Sequence, residues 1–181
     1  MTSTPSRTPR QRFEDLVARA AADPTPVFEV GIPMRDGVEL AADVYLPVAA
    51  ARPAPAIVQS TPYDKSNPTF FPSEARFFQS QGYAFIVHDV RGRGKSEGEW
   101  RAFVNDGRDS HDVIEWVATQ EWCNGNVGTT GLSYMGWTQW ATAAERPPHL
   151  RCMVSTSAAG RWQQEIPYTA GVFQLYFGWW M

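Results

Sequence analysis

The stretch that decides the fold runs from residue 127 to residue 140 and reads V-G-T-T-G-L-S-Y-M-G-W-T-Q-W. A strand-like run ends at Gly131 and Leu132, Ser133 follows, and a helical pattern begins at once with Tyr134. A sharp turn of this kind between a strand and a helix lifts a serine hydroxyl above the carboxyl edge of a sheet. Glycine at 131 relieves crowding where the turn is tightest. We therefore predict Ser133 as a nucleophile, with the Tyr134 N–H at the helix N-terminus as the first oxyanion donor.

The spacing of the glycines departs from the common elbow pattern G-x-S-x-G. Met135 occupies the last position of that pattern, and the glycine falls one residue later, at Gly136. A serine directly before a helix is also a preferred N-cap residue, because its oxygen can accept a hydrogen bond from the first turn. The residues alone leave both interpretations of Ser133 open, a nucleophile and a helix cap.

Strand-like and helical patterns alternate on both sides of this turn. Strands that alternate with helices of about 10 to 15 residues favour right-handed βαβ units and a mainly parallel sheet. The dipeptide Asp36-Gly37 lies between the first two strand-like runs and predicts an antiparallel hairpin at the edge of that sheet. The predicted strands are Val27–Met34, Val38–Leu46, Pro53–Thr61, Tyr83–Val90, Val127–Leu132 and Leu150–Ser155, and the predicted helices are Gln11–Ala22, Ser73–Gln81, Asp109–Gln120 and Tyr134–Glu145.

Composition favours one globular domain and excludes several classes of protein. The chain has 181 residues, of which 43% are hydrophobic and 19% are charged. The net charge of -3 gives no footprint for nucleic acid or an anionic membrane. No apolar run approaches the ~20 residues of a membrane span, and the first residues lack a signal-peptide pattern. We therefore expect a soluble, cytoplasmic protein. Cys123 and Cys152 fit no disulfide or zinc pattern, and we expect both to be buried thiols.

Five motifs, in order, resemble those of the CocE/NonD hydrolase family, which includes cocaine esterase, X-Pro dipeptidyl-peptidases and α-amino-acid ester hydrolases. The similarity extends from about residue 27 to residue 160. The family's elbow is G-x-S-Y-x-G, which accounts for the displaced Gly136. The motifs are M-R-D-G-V-E-L-A-A-D-V-Y-L-P (34–47), T-P-Y-D-K (61–65), H-D-V-R-G-R-G-K-S-E-G (88–98), E-W-C-N-G-N-V-G (121–128) and G-L-S-Y-M-G-W-T-Q-W (131–140).

The resemblance implies an α/β-hydrolase fold, here the N-terminal part of its mainly parallel sheet, truncated before the cap and the last strands. It gives Tyr63 the role of second oxyanion donor through its hydroxyl, whereas the residues alone indicate a loop aromatic. It implies a serine hydrolase of ester or amide bonds that works through an acyl-enzyme. Among the family's activities the motifs lean towards the esterase rather than the X-Pro dipeptidyl-peptidase. No metal or organic cofactor is implied, and the expected partner is a small ester or peptide substrate.

Residues after Ser133 do not supply a catalytic triad. The order in this fold is serine, acid, histidine, but the remaining sequence has no aspartate and only His149 as histidine. A triad of Ser133, His149 and Glu165 would have the wrong order, and we expect His149 at the opposite end of its strand. We therefore expect the triad Asp and His outside this sequence. The 181 residues alone should be nearly inert, prone to aggregation, or both.

Three segments and one alternative function complete the prediction. We assign 1–26 to a disordered stretch with a short helix, 27–160 to the hydrolase core and 161–181 to the start of a helical cap. The alternative function is that of an inactive fragment or degenerate hydrolase with only a binding or assembly role. Homo-oligomerisation of the full-length protein is left open.

Two further features of the sequence are assigned structural roles. The run R-G-R-G-K-S echoes a phosphate-binding loop, but Asp89 stands where that motif needs its first glycine. We expect Asp89 and Arg91 to tie loops together instead. His88, inside a strand-like run, and His111, near a helix start, are also predicted to be structural.

Overall fold

Strands and helices follow one another in the predicted order in the computed structural model, which describes residues 28–47, 53–161, 165 and 168–176. The predicted helix Gln11–Ala22 lies outside the described residues. The strands are β1 (Phe28–Pro33), β2 (Glu39–Tyr45), β3 (Ala54–Thr61), β4 (Ala84–Asp89), β5 (Cys123–Leu132), β6 (Leu150–Thr156), β7 (Tyr168–Thr169) and β8 (Val172–Phe173). The helices are α1 (Phe71–Ser80), α2 (Asp106–Ala118) and α3 (Tyr134–Ala144).

The first six strands form one sheet in the order β1-β2-β4-β3-β5-β6. β1 pairs with β2, and β2 with β4, in antiparallel fashion. The remaining neighbours, β4 with β3, β3 with β5 and β5 with β6, are parallel. The predicted mainly parallel sheet with an antiparallel hairpin on its edge is therefore confirmed. The carboxyl ends of β3, β4 and β5 meet at one edge of this sheet, where ligands bind in open α/β sheets.

The edge hairpin is closed by the turn that the sequence predicts. Gly37 adopts a φ of 87°, a left-handed conformation that costs glycine no steric strain. The Met34 N–H donates to the Val38 carbonyl at 2.8 Å, and the Gly37 N–H donates to the Met34 carbonyl at 3.0 Å. This register places Ile32 opposite Leu40, and both side chains are buried in the core.

The core lies on both faces of the sheet because β4 is buried along its whole length. One apolar cluster joins the sheet to α2, and it includes Ile86, Val113, Ile114 and Val117. A second cluster, on the other face, joins Phe85 and Val87 to α1 and to Met135; its remaining buried members are Tyr45, Phe71 and Ala75. Alternate residues of one strand thus serve two layers, as expected for a central strand.

Some boundaries differ from prediction. β5 begins at Cys123, four residues before the expected Val127, because Cys123 pairs with Ala54 ahead of a register shift. In 161–181, where we predicted the start of a helical cap, the described residues include the small antiparallel hairpin of β7 and β8. No helix in the described residues is long and apolar enough to cross a membrane.

The expectation of two buried cysteines is wrong for one of them. Cys123 is buried, but Cys152 is exposed on β6. The reason is the position of β6 at the end of the strand order, with β5 as its one neighbour among the described strands. Val154 on the same strand is 58% exposed. An edge strand leaves side chains uncovered that a central strand would bury.

Candidate active site

Ser133 occupies the turn between β5 and α3 in a strained backbone conformation, with φ 60° and ψ -119°. Positive φ is uncommon for a residue with a side chain and costs on the order of 1–3 kcal/mol. Neighbouring backbone bonds hold the turn. The Ser133 N–H donates to the Thr156 carbonyl on β6 at 3.0 Å, and the Trp137 N–H donates to the Ser133 carbonyl at 2.9 Å.

The side chain of Ser133 does not behave as a helix cap. Ser133 stands at the N-cap position of α3, but its hydroxyl makes no capping hydrogen bond. The residue is exposed. Of the two interpretations that the sequence left open, the geometry therefore favours an accessible hydroxyl on a sharp elbow.

The glycine spacing around the serine follows from two close contacts. A Cβ atom at Gly131 would collide with the backbone carbonyl of Met135. A Cβ atom at Gly136 would lie 2.8 Å from the Thr156 oxygen and 2.9 Å from the Cβ of Ala158. The pattern G-x-S-Y-x-G thus lets α3 start tightly against β5 and pass close to the end of β6.

Tyr63 lies just beyond the carboxyl end of β3 and reaches Ser133. Its N–H donates to the Thr61 hydroxyl at 3.0 Å, which turns the chain directly after the strand. Burial raises the pKa of the Tyr63 phenol, and a side-chain hydrogen bond with Ser133 partly opposes that rise. Tyr63 is thus close enough to Ser133 for that residue to influence the pKa of the phenol, and Tyr134 adjoins Ser133 in the chain.

A buried carboxylate fixes the loop that carries Tyr63. Asp89 is fully buried and accepts the Lys65 N–H at 2.7 Å and the Lys95 N–H at 3.1 Å. The Lys65 ammonium is itself buried and pairs with Asp43 at 2.7 Å. Asp89 thus connects the T-P-Y-D-K loop to the R-G-R-G-K-S turn, which confirms the loop-tying role predicted for it.

Arg91 connects the R-G-R-G-K-S turn to α2 and to the β1–β2 turn. Its guanidinium bonds to both carboxylate oxygens of Asp109 on α2, at 2.9 and 2.7 Å. It also contacts Asp36 of the β1–β2 turn at 2.8 Å. A two-point arginine–carboxylate bond fixes direction as well as distance. Between the R-G-R-G-K-S turn and Asp106 the described chain contains no helix, unlike a phosphate-binding loop, which opens one.

A cleft of about 600 Å³ lies beside Tyr63. Arg93 borders it, donating through Nε to the Pro62 carbonyl at 3.0 Å. The Arg93 guanidinium also lies 4.7 Å from the centre of the Trp100 ring. The lining residues are Pro62, Tyr63, Asp64, Asn67, Phe70, Arg93 and Gly94. The lining of the cleft is partly polar and partly apolar, and it includes Tyr63, the predicted oxyanion donor.

The three histidines of the sequence have partners away from Ser133. His149 precedes β6, and its Nδ1 lies 2.8 Å from Glu115 of α2; the prediction that it lies at the opposite end of the sheet is confirmed. His88 is buried and bonds through Nε2 to the Ser60 hydroxyl at 2.7 Å. Burial lowers the pKa of His88 to about 4. His111 contacts Arg35 at 3.2 Å.

Two acidic residues, Glu165 and Asp106, have hydrogen-bond partners that the sequence did not predict. Glu165 accepts the N–H of Gly160 at 2.7 Å and so caps a turn. Asp106 accepts a hydrogen bond from the Tyr134 hydroxyl at 2.9 Å. No spacing rule signals the second pair, because its members lie 28 residues apart. On α3, Gln139 is buried and Trp140 is 49% exposed. Within the described residues no cluster of three or more His, Cys, Asp or Glu is placed to hold a metal ion.

This strand order, with a strained and exposed serine on the turn between the fifth strand and the next helix, defines an α/β hydrolase. Comparison with known families gives the particular group. The chain belongs to the X-Pro dipeptidyl-peptidase (S15) family, whose model matches residues 36–181. The resemblance to CocE/NonD hydrolases and the fold class are thereby confirmed.

Individual relatives agree with this assignment. The chain is 39% identical over 133 residues to the cocaine esterase of Rhodococcus sp. (strain MB1 Bresler), covering 72% of this chain and 23% of that protein. A CocE/NonD family hydrolase from Staphylococcus aureus superposes with a TM-score of 0.71 at 28% identity, covering 80% of this chain and 29% of its own. An α-amino acid ester hydrolase gives 0.72 at 30% identity, covering 84% and 29%. The chain spans about a quarter of the length of the curated relatives it matches.

Proposed function

We propose that Ser133 is the nucleophile of a serine hydrolase that cleaves esters through an acyl-enzyme intermediate. The observation that supports this most directly is the exposed Ser133 hydroxyl, which stands on a strained turn between β5 and α3 and makes no capping hydrogen bond. The serine Oγ attacks the substrate carbonyl carbon and its proton passes to a base. The tetrahedral intermediate then expels the alcohol, which takes the proton back. Water, activated by the same base, releases the acid and restores the serine.

The oxyanion of that intermediate lies between two donors, the Tyr134 N–H and the Tyr63 hydroxyl. Helix geometry points the first N–H groups of α3 beyond its N-terminus, with the positive end of the helix dipole behind them. Burial raises the pKa of Tyr63, so its phenol keeps the proton that it donates. Removing one such donor costs about 10²–10³ in kcat.

We propose that none of the three histidines in these residues is the base. His88, His111 and His149 all bond elsewhere, and relatives of this family are several times longer. The proposed acid and histidine therefore approach Ser133 from another segment of the complete protein. Residues 1–181 on their own would supply a nucleophile and an oxyanion hole without a proton acceptor.

Ester substrates are favoured over X-Pro peptides by similarity. The cocaine esterase match extends over 72% of this chain, and a second solved relative is named as an ester hydrolase. The family model carries the name of the peptidase, so cleavage of X-Pro peptides is the second candidate. A panel of aryl esters and X-Pro anilides separates the two by the ratio of kcat/KM.

A fluorophosphonate probe tests the nucleophile in the complete protein. We expect labelling at Ser133, with loss of labelling and a fall in kcat of about 10⁶ in Ser133→Ala. Ser157→Ala is the matched control, because Ser157 is also exposed and also has positive φ, at 47°. Turnover retained in Ser133→Ala overturns the proposal. Turnover by residues 1–181 alone would contradict the proposal that the base lies outside these residues.

A further inference from the structure

Tyr134 is anchored by its side chain as well as by its place in α3. The residue is 3% exposed. Its hydroxyl donates to the Asp106 Oδ2 at 2.9 Å and accepts the Phe103 N–H at 3.1 Å. The same oxygen thus bonds towards helix α2 and towards the loop that precedes it. The residue whose N–H faces the oxyanion is held at both ends.

Asp106 is a buried carboxylate placed to receive that hydroxyl. It is the first residue of α2 and is 6% exposed. Burial raises the pKa of Asp106 to about 6, and the hydrogen bonds from Tyr134 and Phe103 oppose that rise. In its ionised form this carboxylate makes a hydrogen bond about twice as strong as a neutral acceptor would.

Aromatic rings also pack against Tyr134. The rings of Phe103 and Tyr134 stack with centroids 4.3 Å apart, and Phe103 meets Trp137 edge-on at 4.6 Å. Phe103 has a φ of 67°, an uncommon conformation for a large side chain that surrounding contacts must maintain. Helices α2 and α3 also touch, because a Cβ at Gly107 would lie 2.8 Å from the Ala141 oxygen.

We infer that Asp106 is a positioning residue, which fixes the direction of the Tyr134 N–H by holding the Tyr134 hydroxyl. This inference rests on the proposed function. The first turn of a helix is its least constrained part, since its N–H groups lack intrahelical partners. A phenol tied to a buried carboxylate removes that freedom at the residue where the oxyanion donor must be aimed. Asp106 touches no reacting atom and acts through Tyr134.

The expected effect is on the chemical step. An oxyanion-hole donor that is misdirected loses much of its preference for the transition state, and a small misplacement can cost about 10² in rate. We expect Asp106→Leu in the complete protein to lower kcat about ten- to a hundredfold, with KM within about threefold. Asp106→Asn keeps an oxygen acceptor for the hydroxyl, and it should restore most of the lost kcat.

A double-mutant cycle separates positioning from general stability. Tyr134→Phe removes the hydroxyl but keeps the N–H, and we expect it to lower kcat at least as much as Asp106→Leu, because it also takes the acceptor from the Phe103 N–H. Because both changes break the bond between Tyr134 and Asp106, the double variant should be no slower than the slower single variant. Asp112→Leu is the matched control: it lies on α2 and bonds to the exposed Arg35, so kcat should be unchanged.

Each of these measurements tests whether Asp106 positions Tyr134. Unchanged kcat in Tyr134→Phe, multiplicative losses in the double variant, or an Asp106→Asn variant as slow as Asp106→Leu would overturn the positioning role. Tyr134→Phe provides the test even where Asp106→Leu fails to fold. Failure of the proposed function has a separate signature, which is turnover retained in Ser133→Ala.

Discussion

The carboxylate of Asp89 accepts the backbone N–H of Lys65 at 2.7 Å, two residues after Tyr63. The second carboxylate oxygen accepts the Lys95 N–H at 3.1 Å. Both loops at the carboxyl edge of the sheet are therefore fixed to one fully buried side chain at the end of β4. The position of the Tyr63 hydroxyl depends on a residue that does not contact it.

Replacement of Asp89 by alanine should affect both stability and catalysis. The buried Lys65 N–H loses its acceptor, which costs about 1–3 kcal/mol in the free energy of unfolding. Release of the T-P-Y-D-K loop should also lower kcat more than about tenfold, because the Tyr63 hydroxyl is no longer aimed. Urea unfolding and ester turnover measure the two effects.

Glu99→Ala is the control for this change, because Glu99 is a carboxylate of the same region with a side chain 76% exposed. It should alter the free energy of unfolding by less than about 0.5 kcal/mol. An Asp89→Ala variant as stable and active as Glu99→Ala would contradict the loop-fixing role.

Backbone strain at Ser133 can be measured with two inactive variants. Ser133→Ala keeps a Cβ at φ 60° and retains the strain, whereas Ser133→Gly removes it. Relief of strain should raise the free energy of unfolding of the glycine variant by about 1–3 kcal/mol. The greater freedom of glycine in the unfolded chain should lower it by about 0.4–1 kcal/mol. The glycine variant should therefore be the more stable by about 1 kcal/mol. Equal urea midpoints would show that the elbow stores no strain.

Most of the fold could be predicted from short patterns in the sequence. Asp36-Gly37 predicted the edge hairpin, because few dipeptides tolerate that turn. The apolar run Tyr83–Val90 predicted a central strand, and the structure buries all six residues of β4. The elbow was predicted because a strand-like pattern ends close to Gly131 and a helical pattern starts immediately after Ser133. In each case the cause and its effect are neighbours in sequence.

The support of the site could not be predicted in the same way. Lys65 and Asp43 pair across 22 residues, and Tyr134 bonds to Asp106 across 28. Sequence spacing cannot select one buried acid among many when the partner is set by the fold. The exposure of Cys152 was missed for a related reason, since only the strand order reveals that β6 lies on an edge of the described sheet.

Close packing at Gly136 should make that position intolerant of alanine. The new Cβ would lie 2.8 Å from the Thr156 oxygen and 2.9 Å from the Ala158 Cβ, so α3 must shift away from β6. Overpacking of this kind costs about 1–3 kcal/mol, and the shift also displaces Ser133. We expect reduced stability and weaker fluorophosphonate labelling. Gly160→Ala is the control, because among the described residues no atom other than those of its chain neighbours lies within 4 Å of its added Cβ. Equal behaviour of the two variants would contradict the importance of close packing at Gly136.

Acid sensitivity should depend on His88. Burial lowers the pKa of His88 to about 4, below the ordinary value of about 6.5 in the unfolded chain. Between pH 6.5 and pH 4 the unfolded state therefore binds a proton at His88 that the folded state does not bind. Stability that is present above pH 6.5 is lost as the pH falls towards 4. Between pH 7 and pH 5 the loss is about 2 kcal/mol.

The variant His88→Gln should lack this share of the acid loss in urea unfolding at the two pH values. Asp106, with a pKa raised by burial to about 6, titrates in the same window in both proteins and cancels in the difference. Ser60→Ala is the control: it removes the 2.7 Å bond to His88 but keeps the imidazole, so its acid loss should match that of the unaltered protein. Parallel losses in all three proteins would exclude His88 as the cause.

β6 takes part in the Ser133 turn without contributing a residue to it. Its Thr156 carbonyl accepts the Ser133 N–H at 3.0 Å, and in the pairing of β5 with β6 Thr156 lies opposite Leu132, the residue before the serine. A substitution that disturbs the pairing of these two strands should therefore alter the accessibility of the Ser133 hydroxyl as well as the stability of the sheet.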